Sequence, residues 1–178
     1  IKMILPLHGP LLKENLEYYI DKYNTWSSYE PENKGVLVAY ASIHGNTAKA
    51  AEKLGEMLTA KGAEKVVVSD LSREDMAEVI EDAFRYDRLV VASASYDGGV
   101  FPVMEDFLNH LKSKGFQDRT VAFVENGSWA PTAGRTMKAI IDSYKNINLI
   151  DGIVTIKSTL KPDTEKALEE LAEKLTAK

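Results

Sequence analysis

The sequence contains no cysteine. This absence excludes disulfide bonds, iron–sulfur clusters, metal centres held by thiolates and a catalytic thiol. The sequence also lacks any apolar run that approaches the roughly 18–20 residues needed to span a bilayer, so we expect no membrane partner. Positive charge is not in excess: 22 Lys and Arg residues stand against 27 Asp and Glu residues, for a formal net charge of −5. That acidity argues against a nucleic-acid partner, which normally requires a basic surface.

The length of 178 residues suits about one domain with an appendage. Hydrophobic residues make up 44% and charged residues 28%, an ordinary balance for a globular protein with a buried core. The chain begins with Ile1 rather than Met, so we expect it to be a fragment or a processed piece. Its first residues carry too little apolar length for a secretory signal, so we expect a cytoplasmic location.

The first 34 residues differ in pattern from the rest of the chain. Apolar residues spaced by three and four predict a helix over Leu11–Tyr23. The polar stretch Asn24–Lys34 is interrupted by Pro31, and we interpret it as a linker. We therefore expect residues 1–34 to form an appendage and residues 35–178 to form the main domain.

From residue 36 onward, short apolar strands alternate with helices. The predicted strands span Val36–Ala41, Val66–Asp70, Leu89–Ala94, Thr120–Glu125 and about 152–157. The predicted helices span Thr47–Lys61, about 72–86 (its start marked by Ser72 and Asp75), Pro102–Lys114, Pro131–Lys145 and Pro162–Thr176. The strands are continuous apolar runs, which is typical of parallel strands covered on both faces. The pattern predicts an α/β fold, a doubly wound five-stranded parallel sheet with helices on both faces.

The loop after the first predicted strand has the composition of a phosphate site. In a doubly wound sheet, ligands bind outside the carboxyl ends of the strands. This loop offers hydroxyls, an amide, a glycine and a helix N-terminus, which together bind phosphate without a basic side chain. It carries neither the P-loop motif nor the three-glycine dinucleotide fingerprint. The candidate residues are Ser42, Ile43, His44, Gly45, Asn46 and Thr47. In the alternative interpretation, Asn46 caps the helix within a polar turn and His44 is a solvated loop residue.

The loops after the third and fourth predicted strands each offer an aromatic side chain. Their candidate residues are Ser95, Tyr96, Asp97, Gly98 and Gly99 in the second loop, and Asn126, Gly127, Ser128 and Trp129 in the third. A plain turn before a helix that starts with proline is the alternative for the second loop, and core or interface packing of the tryptophan is the alternative for the third. With the phosphate loop at the same sheet edge, two aromatic side chains indicate a site for a planar phosphorylated ligand. Flavin mononucleotide (FMN) fits that description.

Three motifs resemble the flavodoxin-like domain of A-type flavoproteins, also called flavo-diiron proteins. They are Ser42-x-His44-Gly45-Asn46-Thr47, the Tyr96 loop that continues into Phe101-Pro102, and Gly127-Ser128-Trp129. The resemblance covers Gly35 to the C-terminus and implies the sheet order 2-1-3-4-5 with one FMN bound non-covalently. Two departures concern the contacts to the flavin ring. Ser95 replaces a frequent Pro, and Glu125-Asn126 replace smaller residues.

The segment Leu7-His8-Gly9-Pro10 resembles the end of the metallo-β-lactamase-like domain that precedes the flavin domain in that family. The resemblance implies that residues 1–34 are the C-terminal helix and linker of such a domain. His8 matches its last iron ligand. A lone histidine cannot hold a di-iron site, so we expect the di-iron centre, with His8 as a ligand, only in the full-length parent.

The resemblance implies an electron-transfer domain with no catalytic residue of its own. In that family, the flavin receives electrons from rubredoxin or from a flavin/NADH reductase. It passes them to a di-iron site that reduces dioxygen or nitric oxide, usually in a head-to-tail homo-oligomer. A stand-alone flavodoxin and an FMN-dependent quinone reductase are the alternatives with the same fold, although the loops look short for a quinone reductase. A response-regulator receiver is excluded, because it needs an aspartate where the third strand carries Ser93.

Overall fold

A computed structural model describes residues 1–177. Helices and strands alternate through most of this range. The helices are α1 (Leu16–Ser27), α2 (Asn46–Ala60), α3 (Met76–Arg85), α4 (Pro102–Ser113), α5 (Ala133–Ile141) and α6 (Pro162–Thr176). The strands are β1 (Asn33–Ala41), β2 (Val66–Asp70), β3 (Tyr86–Tyr96), β4 (Gly99–Val100), β5 (Thr120–Asn126) and β6 (Asn148–Ile156). Among residues 1–177, no helix is long and apolar enough to cross a membrane.

The sheet has the strand order β2-β1-β3-β5-β6, and every neighbouring pair along this path is parallel. With the short strand β4 set aside, this is the predicted order 2-1-3-4-5, so the predicted fold class is confirmed. Strand β4 pairs antiparallel with the end of β3, through Ser95↔Val100 and Tyr96↔Gly99. A two-residue strand has no periodicity that a sequence pattern can show, which is why it was not predicted.

Both faces of the sheet are covered by helices, as the continuous apolar strands predicted. On one face, Leu37 and Ala39 of β1 lie in a core with residues of α3, α4 and α5, including Phe107. On the other face, Val36 and Val38 pack in a core with residues of α2 and α6. Complete burial of such a side chain contributes about 1.5–3 kcal/mol relative to exposure. Successive side chains of β1 are thus buried in opposite cores. This packing on both faces fixes the carboxyl ends of the strands, which together form one edge of the sheet.

The N-terminal segment differs from its prediction. Helix α1 begins at Leu16 instead of Leu11, because an antiparallel bridge between Ile4 and Leu12 and a left-handed Asn15 (φ 52°) precede it. The helix continues into the predicted linker as far as Ser27, and its residues Lys22 and Trp26 bind the carboxylate of Glu32 beyond the helix end. Strand β1 then begins at Asn33, so little of the predicted linker remains between the two elements.

Two further boundaries have clear physical reasons. Helix α3 is capped by Asp75, whose carboxylate accepts the N–H of Ala77, rather than beginning near Ser72. Strand β6 begins four residues before the predicted start at Gly152. Its pairing with β5 shifts register across a bulge in which Gly152 is left-handed (φ 92°), and this bulge hides the first half of the strand in the sequence pattern.

Candidate functional site

A cavity of about 350 Å³ opens at the carboxyl edge of the sheet, between the loops that follow β1, β3, β5 and β6. Its lining residues are Ser42, Ile43, His44, Asn46, Thr47, Ala94, Ser95, Asn126, Gly127, Ser128 and Ser158. All of these except Ala94 and Ser158 were predicted from the sequence as site residues. The structure therefore brings the phosphate loop together with parts of both aromatic loops.

The N-terminus of α2 faces this cavity without a side-chain cap. Gly45 is the N-cap residue, with a left-handed φ of 82°, and no side chain accepts from the first turn. Asn46 is the first helical residue, so the alternative in which Asn46 caps the helix is wrong. The hydroxyl of Ser42 accepts the N–H of Gly45 at 3.1 Å and closes the loop. The N–H groups at the start of α2 are left for an anion, which the helix dipole also favours.

Thr47 and His44 occupy different positions in the phosphate loop. Thr47 is only 2% exposed and forms part of the cavity wall. His44 and Ile43 are exposed at the cavity rim. Among residues 1–177, the lining contains no Lys or Arg, so an anion there would depend on hydroxyl, amide, imidazole and backbone donors.

The second predicted site loop, which carries Tyr96, is a tight hairpin between β3 and β4. Asp97 (φ 47°) and Gly98 (φ 72°) are both left-handed, as a two-residue turn with Asp-Gly requires. Tyr96 lies at the end of β3, half exposed, with its ring edge-on to Phe101 at a centroid distance of 5.7 Å. The hairpin therefore presents Tyr96 directly beside the lining residue Ser95.

The hydroxyl of Ser95 anchors the start of α5. Its Oγ accepts the backbone N–H groups of Thr132 at 2.8 Å and Ala133 at 3.2 Å. The Thr132 hydroxyl in turn donates to the carbonyl oxygen of Gly99 at 2.7 Å. These bonds tie the hairpin to the end of the third loop, so Ser95 and Gly99 have structural roles whether or not they touch a ligand.

The third loop begins with a side-chain clamp. The amide of Asn126 donates from Nδ2 to the carbonyl oxygen of Ser158 at 3.0 Å, and its Oδ1 accepts the N–H of Ser158 at 3.1 Å. The hydroxyls of Ser128 and Ser158 lie 3.1 Å apart. A Cβ on Gly127 would lie 3.0 Å from the Ser95 Oγ, which explains why the loop has glycine there. Ser158 was not predicted from the sequence as a site residue. Its position directly after the last strand, at the same edge of the sheet, was a signal that could have identified it.

Trp129 makes the third loop unusual. Its side chain is 96% exposed, so the alternative in which it packs in the core is wrong. It follows Ser128 just as Tyr96 follows Ser95, and both serines line the cavity. Two exposed aromatic side chains thus follow cavity-lining serines in the sequence, one at the end of β3 and one in the loop after β5.

His8, the predicted iron ligand of a full-length parent, lies in the exposed N-terminal segment. Among residues 1–177, no group of three or more His, Asp or Glu side chains has the arrangement of a metal site.

A family model described as a flavodoxin domain matches residues 37–161. The chain belongs to the flavodoxin domain family. The match includes all three predicted loops of this flavodoxin domain, and with the relatives below it confirms the predicted resemblance to the flavodoxin-like domain of A-type flavoproteins.

Curated relatives of this flavodoxin domain are longer proteins. An uncharacterized protein of Methanocaldococcus jannaschii is 29% identical, over 98% of the chain and 44% of its own length. The anaerobic nitric oxide reductase flavorubredoxin of Vibrio vulnificus is 22% identical, over 97% of the chain and 34% of its own length. Among solved structures, rubredoxin oxygen:oxidoreductase from Desulfovibrio gigas superposes with a TM-score of 0.90 at 18% identity, over 98% of the chain and 43% of its own. The chain spans less than half the length of these relatives.

Proposed function

We propose that this flavodoxin domain binds one FMN non-covalently and serves as an electron carrier. The observation that carries the proposal is the uncapped N-terminus of α2, which opens into a cavity lined by hydroxyl and backbone groups. A phosphate monoester matches these donors, because it is compact, strongly accepting and negatively charged. Tyr96 and Trp129 are exposed, each follows a cavity-lining serine in the sequence, and in this proposal they supply flat faces for the isoalloxazine ring.

The chemistry of the residues at the start of α2 fits the phosphate group of FMN. A Cβ at Gly45 would meet no atom within 4 Å, so this glycine serves the left-handed turn that leaves room above the helix start. The neighbouring Thr47 and Ser42 add hydroxyl groups at the same end of the cavity. Bound FMN would supply the one- and two-electron chemistry. The chain itself would hold the phosphate at α2, flank the ring with Tyr96 and Trp129, and exclude water from the ring faces.

The parent protein that we propose is a flavo-diiron oxidoreductase. The support is the length of the relatives, more than twice that of the chain, and the name of the Vibrio vulnificus protein as a nitric oxide reductase. In this proposal residues 1–34 are the end of a preceding metallo-β-lactamase-like domain, and residues 35–178 form the FMN domain. His8 would complete a di-iron site contributed mainly by that domain. The flavin would relay electrons to that site within a head-to-tail homo-oligomer.

The electron donor in this proposal is rubredoxin or a flavin/NADH reductase. The Desulfovibrio gigas relative is named for rubredoxin, which supports the first of these partners. The absence of cysteine from this chain means that a thiolate iron centre must come from another polypeptide or domain.

Equilibrium dialysis of the apoprotein against FMN tests the proposed function. We expect one FMN bound per chain and a visible flavin spectrum shifted from that of free FMN. Reduction of the loaded protein with dithionite, followed by addition of ferricytochrome c, should give stoichiometric electron transfer. Absence of FMN binding by correctly folded protein would overturn the proposal. Rapid turnover of a quinone by the loaded domain would instead favour the quinone-reductase alternative.

A further inference from the structure

The loop after β6 contributes a serine to the cavity that the sequence motifs do not include. Ser158 lines the same cavity as the start of α2, although it lies beyond the last strand of the sheet. Its backbone is left-handed (φ 68°), a conformation that costs free energy in an L residue and that is retained only when neighbouring groups enforce it.

The enforcing group is Asn126. Its side-chain amide binds both the carbonyl oxygen and the N–H of Ser158, at 3.0 and 3.1 Å. Asn126 is only 8% exposed, so water competes little for either bond. An amide that satisfies both of these backbone groups fixes the peptide on each side of Ser158. The backbone of Ser158, and with it the point from which its hydroxyl group extends, is therefore fixed from β5, the strand that leads into the Trp129 loop.

The hydroxyls of Ser158 and Ser128 form a pair with one spare donor. They lie 3.1 Å apart, and either can donate to the other. Two hydroxyl groups carry two protons, and the bond between them uses one. The remaining proton is available to an acceptor in the cavity.

We infer that the Ser128–Ser158 hydroxyl pair binds a phosphate oxygen of FMN, and that Asn126 is a positioning residue that acts through Ser158. This inference rests on the proposed function. We assign the phosphate end of FMN, rather than its ring, to this cavity, because the cavity contains the N-terminus of α2 but neither Tyr96 nor Trp129. An acceptor with negative charge also gains more from a hydroxyl donor than the neutral ring does.

The test is a set of fluorescence titrations of apoprotein with FMN and with riboflavin, which has the ring but no phosphate. For Ser158→Ala we expect FMN affinity to fall on the order of tenfold, the size of one hydrogen bond to a charged group, with riboflavin affinity unchanged within about twofold. Ser72→Ala, an exposed serine after β2 that does not line the cavity, is the matched control and should bind both ligands as the wild type does.

A double-mutant cycle separates positioning from direct contact. If Asn126 acts through Ser158, Asn126→Ala as a single substitution weakens FMN binding. Added to Ser158→Ala, the same substitution has no further effect. Additive losses would show that Asn126 does not act through Ser158 and would overturn that part of the inference. Unchanged FMN affinity in Ser158→Ala, or equal losses for FMN and riboflavin, would overturn the phosphate assignment. Wild-type protein that binds no FMN would instead contradict the proposed function itself.

Discussion

The carboxylate of Glu125 accepts the backbone N–H of Gly134 at 2.8 Å, in the first turn of α5. Its other oxygen accepts the hydroxyl of Thr155 at 2.9 Å. The protein thus places its own negative charge at the start of α5. At the start of α2, in contrast, Gly45 precedes the helix and no side chain caps it. Two helices that begin at the same sheet edge therefore differ: a side chain of the protein anchors the start of α5, whereas no side chain caps the start of α2.

Removal of the Glu125 carboxylate should destabilise the domain. Glu125 is 7% exposed, and Glu125→Ala leaves the buried N–H of Gly134 without its acceptor, at a cost of roughly 1–3 kcal/mol. Urea unfolding measures this as a lower midpoint at unchanged slope. Glu170→Ala, an exposed glutamate of α6, is the control and should change the free energy of unfolding by less than about 0.5 kcal/mol. Equal midpoints for the two variants would contradict the anchoring role of Glu125.

The two tryptophans allow the ring contact to be measured separately from binding. In Trp26→Phe the remaining tryptophan is Trp129, which follows the cavity-lining Ser128. In Trp129→Phe the remaining tryptophan is Trp26, in α1. We expect FMN to quench most of the tryptophan emission of the first variant and little of that of the second. Trp129→Ala should also weaken FMN binding, because an aromatic pair contributes about 0.5–1.5 kcal/mol beyond its buried area. Unchanged FMN affinity and unchanged flavin fluorescence in Trp129→Ala would mean that Trp129 does not stack.

Arg119 should be required for stability although, within residues 1–177, no carboxylate forms an ion pair with it. It is 3% exposed, and its guanidinium donates to backbone carbonyl oxygens of both the N-terminal segment and the main domain, those of Tyr29, Phe84, Tyr86, Gln117 and Asp118. Arg119→Lys keeps the charge but loses the planar set of donors, so we expect a loss of about 2 kcal/mol or more in thermal or urea unfolding. The exposed Arg135→Lys is the control and should be neutral. A neutral Arg119→Lys variant would show that these bonds contribute little.

Tyr144 should make stability depend on pH in the alkaline range. Burial raises the pKa of Tyr144 above its ordinary value near 10, and its hydroxyl donates to the carbonyl oxygen of Leu108 at 2.6 Å. Above a pH of about 10, Tyr144 loses its hydroxyl proton in the unfolded chain but keeps it in the folded chain. The unfolded state then binds fewer protons, so the free energy of unfolding falls as the pH rises.

Tyr144→Phe removes this ionisation together with one hydrogen bond. At neutral pH we expect the variant to be less stable by about 0.5–1.5 kcal/mol. Between about pH 9 and about pH 11 the difference from the wild type should shrink, by up to about 1.4 kcal/mol per pH unit above the unfolded pKa. The measurement is urea unfolding of both proteins across this range. A difference that stays constant with pH would contradict burial of an un-ionised Tyr144.

The sequence predicted those features that rest on continuous burial or on strong local signals. The five parallel strands were predicted because residues such as Val36 and Leu37 face opposite cores and so produce an unbroken apolar run. Helix α6 was predicted with its observed bounds, Pro162–Thr176, because proline marks the first helical position. The cavity loops were found by the rule that ligands bind at the carboxyl edge, which requires only the strand positions.

Features that depend on single long-range contacts could not be predicted. The role of Ser158 depends on its bonds with Asn126, 32 residues away in the chain, and no local pattern marks such a pair. Helix α1 extends into a polar stretch whose composition is typical of a linker, and its bonds from Lys22 and Trp26 to Glu32 beyond the helix end leave no mark in the sequence pattern. The sequence identified Tyr96 and Trp129 as candidate site residues. It could not show that the loop of Trp129 is anchored at its start by Asn126 and at its end by Thr132, or that Trp129 between them is exposed.

The central claim is that the N-terminus of α2 binds the phosphate of FMN, and its most direct test is the comparison of FMN with riboflavin in wild type and Thr47→Val. Thr47 lines the cavity in the first turn of α2. Thr59→Val, at the other end of the same helix, controls for the loss of a hydroxyl elsewhere. We expect the wild type to bind FMN much more tightly than riboflavin. We expect Thr47→Val to weaken FMN binding on the order of 10- to 100-fold and to leave riboflavin binding unchanged. Equal affinity of the wild type for both ligands, or equal losses for both in Thr47→Val, would contradict the claim.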